Sequence, residues 1–275
     1  MVSKKKKLKK LKVKIVKRKV VKSKIVKRRA SGFGSIKKIQ RVSSGVPGFD
    51  SLVQGGFERN SVNLIVGTAG SAKSIFTMQF LVEGLRKGEK CLYVTFEEKK
   101  EDVYNYMRDF GWDLEAYEKK GDFTFLHYTP EKVKLMLEEG GGAIENIILS
   151  KKISLLVIDS ITSFALLFND ELERKEAALE LFSAISRWAC TSILTSEESP
   201  FLDRQFSSRT LEFEAHSIIL LYYLPGKSGR ERYLEILKMR GTKHSTKLHA
   251  FSVGTKGLVV STSASKVPDS LQTRG

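Results

Sequence analysis

Acidic residues are absent from the first 49 positions of the chain, which contain 19 lysines and arginines before the first carboxylate, Asp50. The rest of the chain holds the other 29 basic residues and all 31 acidic residues, so its net charge is −2. The whole excess behind the formal charge of +17 therefore belongs to the N-terminal segment. This distribution excludes a domain that is basic throughout and clamps nucleic acid over its whole surface.

Cysteine and histidine are scarce. The two cysteines, Cys91 and Cys190, lie in separate apolar stretches without CxxC spacing, so they do not form a disulfide framework. We predict two buried free thiols in a protein of the reducing cytoplasm. The four histidines show no metal-ligand spacing, which argues against a structural zinc site.

Long apolar runs are also missing. The longest candidate, residues 153–168, is interrupted by Asp159 and two serines, and a bilayer-spanning helix needs about 20 apolar residues. The basic start is too long for a signal peptide, and no uninterrupted apolar core follows it. We therefore expect no transmembrane segment, and one large domain over residues 39–260 with a flexible C-terminal tail over 261–275.

The basic segment, residues 1–38, consists largely of Lys, Arg, Val, Ile and Leu with an apolar pair every five residues. A period of five fits neither a helix nor a strand, and dense like charge opposes compaction. We predict a disordered or extended segment. Its charge favours an anionic partner such as nucleic acid, bound through counterion release. An acidic membrane surface, or no dedicated partner, remains open.

The body alternates between short apolar runs and amphipathic stretches. Such alternation predicts an α/β fold with a mostly parallel sheet that is flanked by helices. After about residue 210 the apolar runs follow one another without a long helix, which predicts further strands that extend the sheet antiparallel. The predicted strands are 62–66, 91–96, 123–127, 155–159, 191–197, 217–223, 233–239, 247–253 and 257–260, and the predicted helices are 73–86, 99–110, 131–149 and 171–189.

A glycine-rich loop joins the first buried strand to the first long helix. It reads Gly67-Thr68-Ala69-Gly70-Ser71-Ala72-Lys73-Ser74, close to the phosphate-binding pattern GxxxxGK[ST], with alanine in place of the last glycine. In such a loop the backbone N–H groups surround phosphate oxygens, the lysine neutralises the β- and γ-phosphates and the serine hydroxyl binds Mg²⁺. We predict a nucleotide site at Gly67–Ser74.

Carboxylates follow two other buried strands. Asp159 ends the strand LLVID, as the Walker B aspartate that orients Mg²⁺ does. Glu97 and Glu98 follow the strand CLYVTF, where a carboxylate can deprotonate a water that attacks the γ-phosphate. An acidic pair at a helix start, favoured by the helix dipole, explains the two glutamates equally well from the residues alone.

Taken in order, the body resembles a single KaiC-type domain of the RecA-like P-loop ATPases. The resemblance covers residues 39–260 and depends on SGVPGFDSLVQGGF, GTAGSAKS, YVTFEE, FGWDL, LLVIDS, ILTSE and LKMRGTKHS. It implies ATP and Mg²⁺ as cofactors and a homo-oligomer, a hexameric ring with ATP between neighbouring subunits.

The resemblance also implies catalytic roles. Glu97 and Glu98 match the paired catalytic glutamates of the family. Lys238 and Arg240 match the Lys-x-Arg pair that one subunit offers to the γ-phosphate bound by its neighbour. The alternative for this pair is a solvated edge strand.

Other positions match nucleotide contacts. Thr242 and His244 match residues near the nucleotide, and Asp109 falls near a position that approaches it. The chain departs from the family at Gly254-Thr255, where Thr-Asp is usual, and at Glu212-Phe213, where the clock protein has its phosphorylated pair, so we predict no autophosphorylation there. The basic segment is outside the family pattern, and a circadian role is not implied.

Three functions compete on this basis. The first is an ATP-hydrolysing ring protein in regulation or signalling. The second is a nucleotide-sensing scaffold with little turnover, and the third is a RecA-like ATPase directed by DNA or RNA, with the basic segment as a tether.

Overall fold

The computed structural model describes residues 39–129, 132, 142–165, 168, 170–198, 214–226, 229–268 and 271. The predicted basic segment 1–38, the pair 212–213 and most of residues 131–141 in the predicted helix 131–149 lie outside the described residues. Among the helices that are described, none combines the length and apolar character that crossing a bilayer requires.

Nine strands of the described chain form one sheet, and two short strands form a separate ribbon. The ribbon pairs β1 (Arg41–Val42) with β2 (Phe57–Glu58). The sheet contains β3 (Val62–Gly67), β4 (Cys91–Thr95), β5 (Phe123–His127), β6 (Leu155–Asp159), β7 (Thr191–Glu197), β8 (Ser217–Gly226), β9 (Gly229–Met239), β10 (His249–Gly254) and β11 (Gly257–Val260). Its strand order is β11-β10-β9-β8-β3-β7-β6-β4-β5.

Helices connect these strands. The described helices are α1 (Phe49–Leu52), α2 (Lys73–Arg86), α3 (Lys100–Arg108), α4 (Leu114–Lys120), α5 (Gly142–Lys151), α6 (Ile161–Ala165) and α7 (Glu171–Arg187). The predicted helices at 73–86, 99–110 and 171–189 are confirmed, and α5 confirms the last part of the fourth. Asp170 begins α7, because its side chain accepts hydrogen bonds from the N–H groups of Leu172 and Glu173.

The predicted α/β fold is confirmed, with one difference in strand direction. Strand β8 pairs parallel with β3, so the antiparallel part begins at β9 and not at β8. The prediction was wrong here because it considered only the runs after residue 210. The 19 residues between Glu197 and Ser217 are long enough for a crossover connection, which parallel pairing requires.

Both faces of the sheet are covered. Along β3, Leu64 and Val66 belong to one apolar cluster and Ile65 to the other, and all three are fully buried. This alternation is typical of a sheet between two helix layers. Cys91 and Cys190 are buried free thiols, as predicted, and burial raises the pKa of each.

Candidate functional site

The glycine-rich loop lies at the carboxyl end of β3 and leads into α2. Ala72, immediately before the helix, has the left-handed backbone conformation (φ 71°, ψ 29°) that glycine adopts most readily. Ala72 stands where the phosphate-binding pattern has its last glycine, and an alanine in this conformation costs roughly 1–2 kcal/mol. Gly67 is needed for a close approach, since an added Cβ would lie 2.7 Å from the carbonyl oxygen of Leu221 on β8.

Lys73 begins α2 and is almost fully buried (7% exposed). Its ammonium group donates hydrogen bonds to the carbonyl oxygens of Gly67 (2.9 Å) and Thr68 (3.1 Å). It also lies 3.6 Å from a carboxylate oxygen of Glu197. The Lys73 ammonium group, which we predict to bind a triphosphate, therefore points into the loop.

Asp159, at the end of β6, is held by two hydroxyl groups. The Tyr93 hydroxyl donates to its Oδ2 (2.9 Å), and the Thr195 hydroxyl donates to its Oδ1. Both donors come from strands that flank β6 in the sheet, β4 and β7. Burial, followed by the charge of Asp159, raises the pKa of Tyr93 well above its usual value, so this phenol remains a donor.

Glu97 and Glu98 follow β4, where the Thr95 hydroxyl accepts hydrogen bonds from both of their N–H groups (3.2 Å each). The hydroxyls of Ser160 (3.1 Å) and Ser163 donate to the carboxylate of Glu97. Burial, followed by the charges of Asp159 and Glu97, raises the pKa of Glu98. One glutamate is therefore oriented by hydroxyls, and the other is made a stronger base by its surroundings.

These side chains surround a cavity of about 320 Å³ at the carboxyl edge of the parallel strands. Carboxyl ends of parallel strands meet at one edge, where α/β proteins bind ligands. The described lining residues are Ala69, Gly70, Ala72, Lys73, Ser74, Ile75, Thr95, Glu97, Glu98, Asp159, Ser160 and Glu197.

The charges of the cavity fit a metal–nucleotide complex. Among the described lining residues, four carry carboxylates and Lys73 alone carries a positive charge, so the formal sum is −3. A bare polyphosphate would be repelled by this excess, whereas a divalent cation offsets it. The Ser74 hydroxyl and the Asp159 carboxylate supply the oxygen ligands that Mg²⁺ prefers.

Lys238 and Arg240 lie away from the phosphate loop, in the direction of the amino end of β3. Lys238 pairs with Ile218, which pairs with Leu64, three residues before Gly67 and so about 10 Å away along the strand. Arg240 lies farther still, because its N–H donates to the carbonyl oxygen of His216 beside the start of β3. In one subunit these two cations are therefore separated from the phosphate loop.

A β-bulge directs Lys238 away from the core. Ile218 pairs with Lys238 and the next residue of β8 pairs with Ile236, so Leu237 is the extra residue on β9. Ile236 and Met239 consequently belong to the same buried cluster, although regular alternation would put Ile236 and Lys238 on one face. The bulge is the device that moves the cation out of the core.

Six further predicted residues are not among the described residues that line the cavity: Gly67, Thr68 and Ser71 of the loop, and Asp109, Thr242 and His244. Thr242 and His244 follow Arg240 in the turn after β9. Asp109 is exposed at the C-terminal end of α3 and lies outside the described lining of the cavity. Their nucleotide contacts stay predictions.

Sequence reasoning missed six polar side chains of this site: Tyr93, Thr95, Ser160, Ser163, Thr195 and Glu197. Glu197 ends β7 and pairs in register with Gly67 of β3. Its position in the sequence ILTSE, at the end of a buried strand, was the available signal. The hydroxyls of Tyr93 and Thr195 carried no such signal, because each lies within an apolar strand.

Known proteins resemble this chain over most of its length. The family model described as "ATPase: KaiC" matches residues 42–265. Circadian clock protein KaiC3 of Synechocystis is 34% identical over 230 residues, which are 81% of this chain and 46% of that protein. The chain thus spans about half the length of that relative.

Two archaeal proteins match over nearly their whole length. A UPF0273 protein of Pyrococcus furiosus is 32% identical over 254 residues, 86% of this chain and 98% of the relative. The crystal structure of a KaiC-like protein from Pyrococcus horikoshii superposes with a TM-score of 0.73 at 35% identity, covering 82% of this chain and all of that one. With the family model matching from β1 to beyond β11, the chain belongs to the KaiC ATPase family.

Proposed function

We propose that this protein binds ATP together with Mg²⁺ in the cavity at the carboxyl edge of the sheet and hydrolyses it. The observation that carries this proposal is the meeting of the phosphate loop, Lys73 and the two glutamates around one cavity. The N–H groups of the loop and the Lys73 ammonium bind the phosphates. Ser74 and Asp159 hold Mg²⁺, which when bound stabilises the charge on the transferred phosphoryl group.

Glu98, which lines the cavity and is partly buried, takes the proton of the attacking water, and its burial favours this role by raising its pKa. Glu97, whose carboxylate accepts hydrogen bonds from Ser160 and Ser163, orients that water. In this proposal the two glutamates have different tasks.

The second part of the proposal is a head-to-tail ring, which we take to be a hexamer. Lys238 and Arg240 lie away from the phosphate loop of their own subunit, about 10 Å or more along the strands. A neighbouring copy brings these two cations to the cavity, where they stabilise the charge on the γ-phosphate. A heterologous interface of this kind gives a ring when the rotation between neighbours closes, and we propose that it closes after six subunits.

The third part concerns biological role. We propose regulation or signalling through the nucleotide state, and the name of the relative KaiC3, a circadian clock protein, supports a regulatory role. The charge of residues 1–38 favours a nucleic-acid or other anionic partner, reached through this segment. Binding of nucleic acid at low salt that is lost after deletion of residues 1–38 would support this partner, and equal binding without them would exclude it.

An ATPase assay on Glu97→Gln/Glu98→Gln tests hydrolysis. We expect a loss of turnover of at least about 100-fold, the usual contribution of general base catalysis. Glu173→Gln/Glu176→Gln, which removes two exposed carboxylates of α7, is the matched control and should behave as wild type. If wild type is no faster than the catalytic double variant, the scaffold function replaces the enzyme.

Light scattering tests the ring. Saturating ATP with Mg²⁺ should raise the mass toward six subunits, because a ligand bound at an interface favours the assembled state. A monomer at saturating nucleotide would contradict the roles of Lys238 and Arg240 in the neighbouring site.

A further inference from the structure

Arg41 connects the N-terminal ribbon to the turn that follows β9. Its guanidinium donates to the carbonyl oxygen of Gly56 (2.9 Å) and to the hydroxyl of Thr242 (2.8 Å). That hydroxyl in turn donates to the carbonyl oxygen of Arg240 (3.2 Å). The backbone at Arg240 is thus tied to Arg41 through a single hydroxyl group.

Two further contacts hold the same turn. The N–H of Lys243 donates to the side-chain oxygen of Gln54 (3.2 Å), and the N–H of Ser245 donates to the carbonyl oxygen of Leu52 (3.0 Å). The turn from Arg240 to Ser245 contains no helix or strand. Its position is therefore set in part by these contacts to a segment about 190 residues away in the sequence.

The contacting segment, residues 41–56, is itself firmly held, and we call it the brace. Asp50 accepts a hydrogen bond from the N–H of Ser44 (3.0 Å). Phe49 and Val53 are fully buried in the core cluster beneath it. A rigid element therefore carries Arg41 and Gln54 to the turn.

We propose that the brace positions Arg240 and the turn after it for the nucleotide site of the neighbouring subunit, with Arg41 as the central positioning residue. This inference rests on the proposed ring function. It gives a function to the motif SGVPGFDSLVQGGF, residues 44–57, none of which is among the described residues that line the cavity. It also makes the Thr242 hydroxyl a link between Arg41 and Arg240.

The physical reason is the cost of misplacement. A cation that acts on a transition state across an interface loses most of its effect when its backbone shifts by about 1 Å. The forked guanidinium of Arg41 fixes two oxygens at once, which a lysine ammonium does with less geometric definition. Removing it loosens the turn at Arg240 and Thr242, although the contacts of Lys243 and Ser245 remain, and it leaves the cavity of the same subunit intact.

The first test is steady-state kinetics on Arg41→Met and Arg41→Lys. We expect Arg41→Met to lower kcat by about 10-fold, with a smaller change in KM, and Arg41→Lys to be intermediate. Arg59→Met is the matched control, because Arg59 pairs with Glu89 and not with the turn. It should stay within about twofold of wild type.

Mixing variants distinguishes positioning in the neighbouring site from general damage. Lys73→Ala disables the phosphate loop, and Arg41→Met disturbs the turn that carries Arg240 to the neighbouring site. In a ring that assembles at random from equal amounts of the two variants, about one quarter of the interfaces combine an intact loop with an intact Arg240 turn. Activity should therefore rise well above the average of the two separate variants, to about a quarter of wild type. Should Arg41→Met fail to fold, as judged by thermal unfolding, the same mixture is made with Arg41→Lys.

A parallel mixture of Lys73→Ala with Arg240→Ala tests the ring function alone. If this mixture recovers activity but the Arg41 variants are as active as wild type, or are not rescued by Lys73→Ala, the brace inference is overturned and the ring stands. If neither mixture recovers activity, the shared site is wrong and the inference fails with it.

Discussion

The ion pair between Lys73 and Glu197 predicts that one cavity carboxylate opposes nucleotide binding. The two charged groups are 3.6 Å apart, and the side chain of Lys73 is 8% exposed whereas that of Glu197 is 48% exposed. A triphosphate must displace this carboxylate from the lysine. We therefore expect Glu197→Gln, which keeps the shape of the side chain, to bind nucleotide more tightly.

The magnitude follows from the distance and the exposure. Unit charges at this separation attract by about 1 kcal/mol in water and by about 4–5 kcal/mol at an effective dielectric constant of 20. Because Glu197 is half exposed to solvent, the lower figure applies. About 1 kcal/mol corresponds to a dissociation constant about fivefold smaller.

The assay is an equilibrium titration with Mg²⁺ and a non-hydrolysable ATP analogue. Glu83→Gln is the matched control, since it removes a carboxylate that pairs with Lys87 on the surface of α2, outside the cavity. Its dissociation constant should equal that of wild type. The advantage of Glu197→Gln should shrink from 0.1 M to 1 M salt, as the Debye length falls from about 10 Å to about 3 Å.

Weaker binding by Glu197→Gln would refute the reasoning, because Glu197 would then help to hold the nucleotide or its metal. A dissociation constant equal to that of Glu83→Gln would mean that the carbonyl oxygens alone hold Lys73.

Three more predictions concern the cavity. Folding raises the pKa of Glu98, so ionisation of this carboxyl is disfavoured in the folded protein. The free energy of unfolding should therefore fall as pH rises from the ordinary pKa of glutamate to the raised pKa. Urea titrations of Glu98→Gln should lack this fall. Tyr93→Phe should lower the free energy of unfolding in urea by about 2 kcal/mol, because it leaves buried Asp159 with one donor fewer. Tyr104→Phe should lower it by less than about 1 kcal/mol, because the acceptor of Tyr104, Glu118, is partly exposed. The free energy of unfolding of Ala72→Gly should stay within about 1 kcal/mol of wild type, because relief of the left-handed alanine stabilises the folded state and the freer unfolded chain opposes this gain. The variant should bind the ATP analogue at least as tightly as wild type. Weaker binding would show that the methyl group contributes to the site.

Most of the strands and the long helices could be predicted, because the side chains that define them recur at periods set by the backbone. The loop at Gly67–Ser74 was predictable for the same local reason, since the turn, the lysine and the helix start are consecutive. The short elements β1, β2, α1, α4 and α6 were not predicted. They are too short to show a period, and β1 and β2 are held by contacts made far along the sequence.

The bulge at Leu237 could not be located from the sequence. Two apolar residues, Ile236 and Leu237, are adjacent in the strand and break its alternation, but only the pairing with β8 shows that Leu237 is the extra residue. Its consequence is large, because it decides that Met239 enters the core and Lys238 does not.

The sequence by itself determined the chemical parts of this protein: the phosphate loop, the carboxylates that follow β4 and β6, and a basic segment separate from a nearly neutral body. Tertiary structure alone decided how those parts are paired. It brought Glu197 to Lys73 and put Tyr93 and Thr195 on Asp159, and it separated the loop from Arg240 by most of the length of a strand. The reason is physical: a side chain's chemistry is local, whereas the distance between two side chains depends on the order and direction of the strands that carry them.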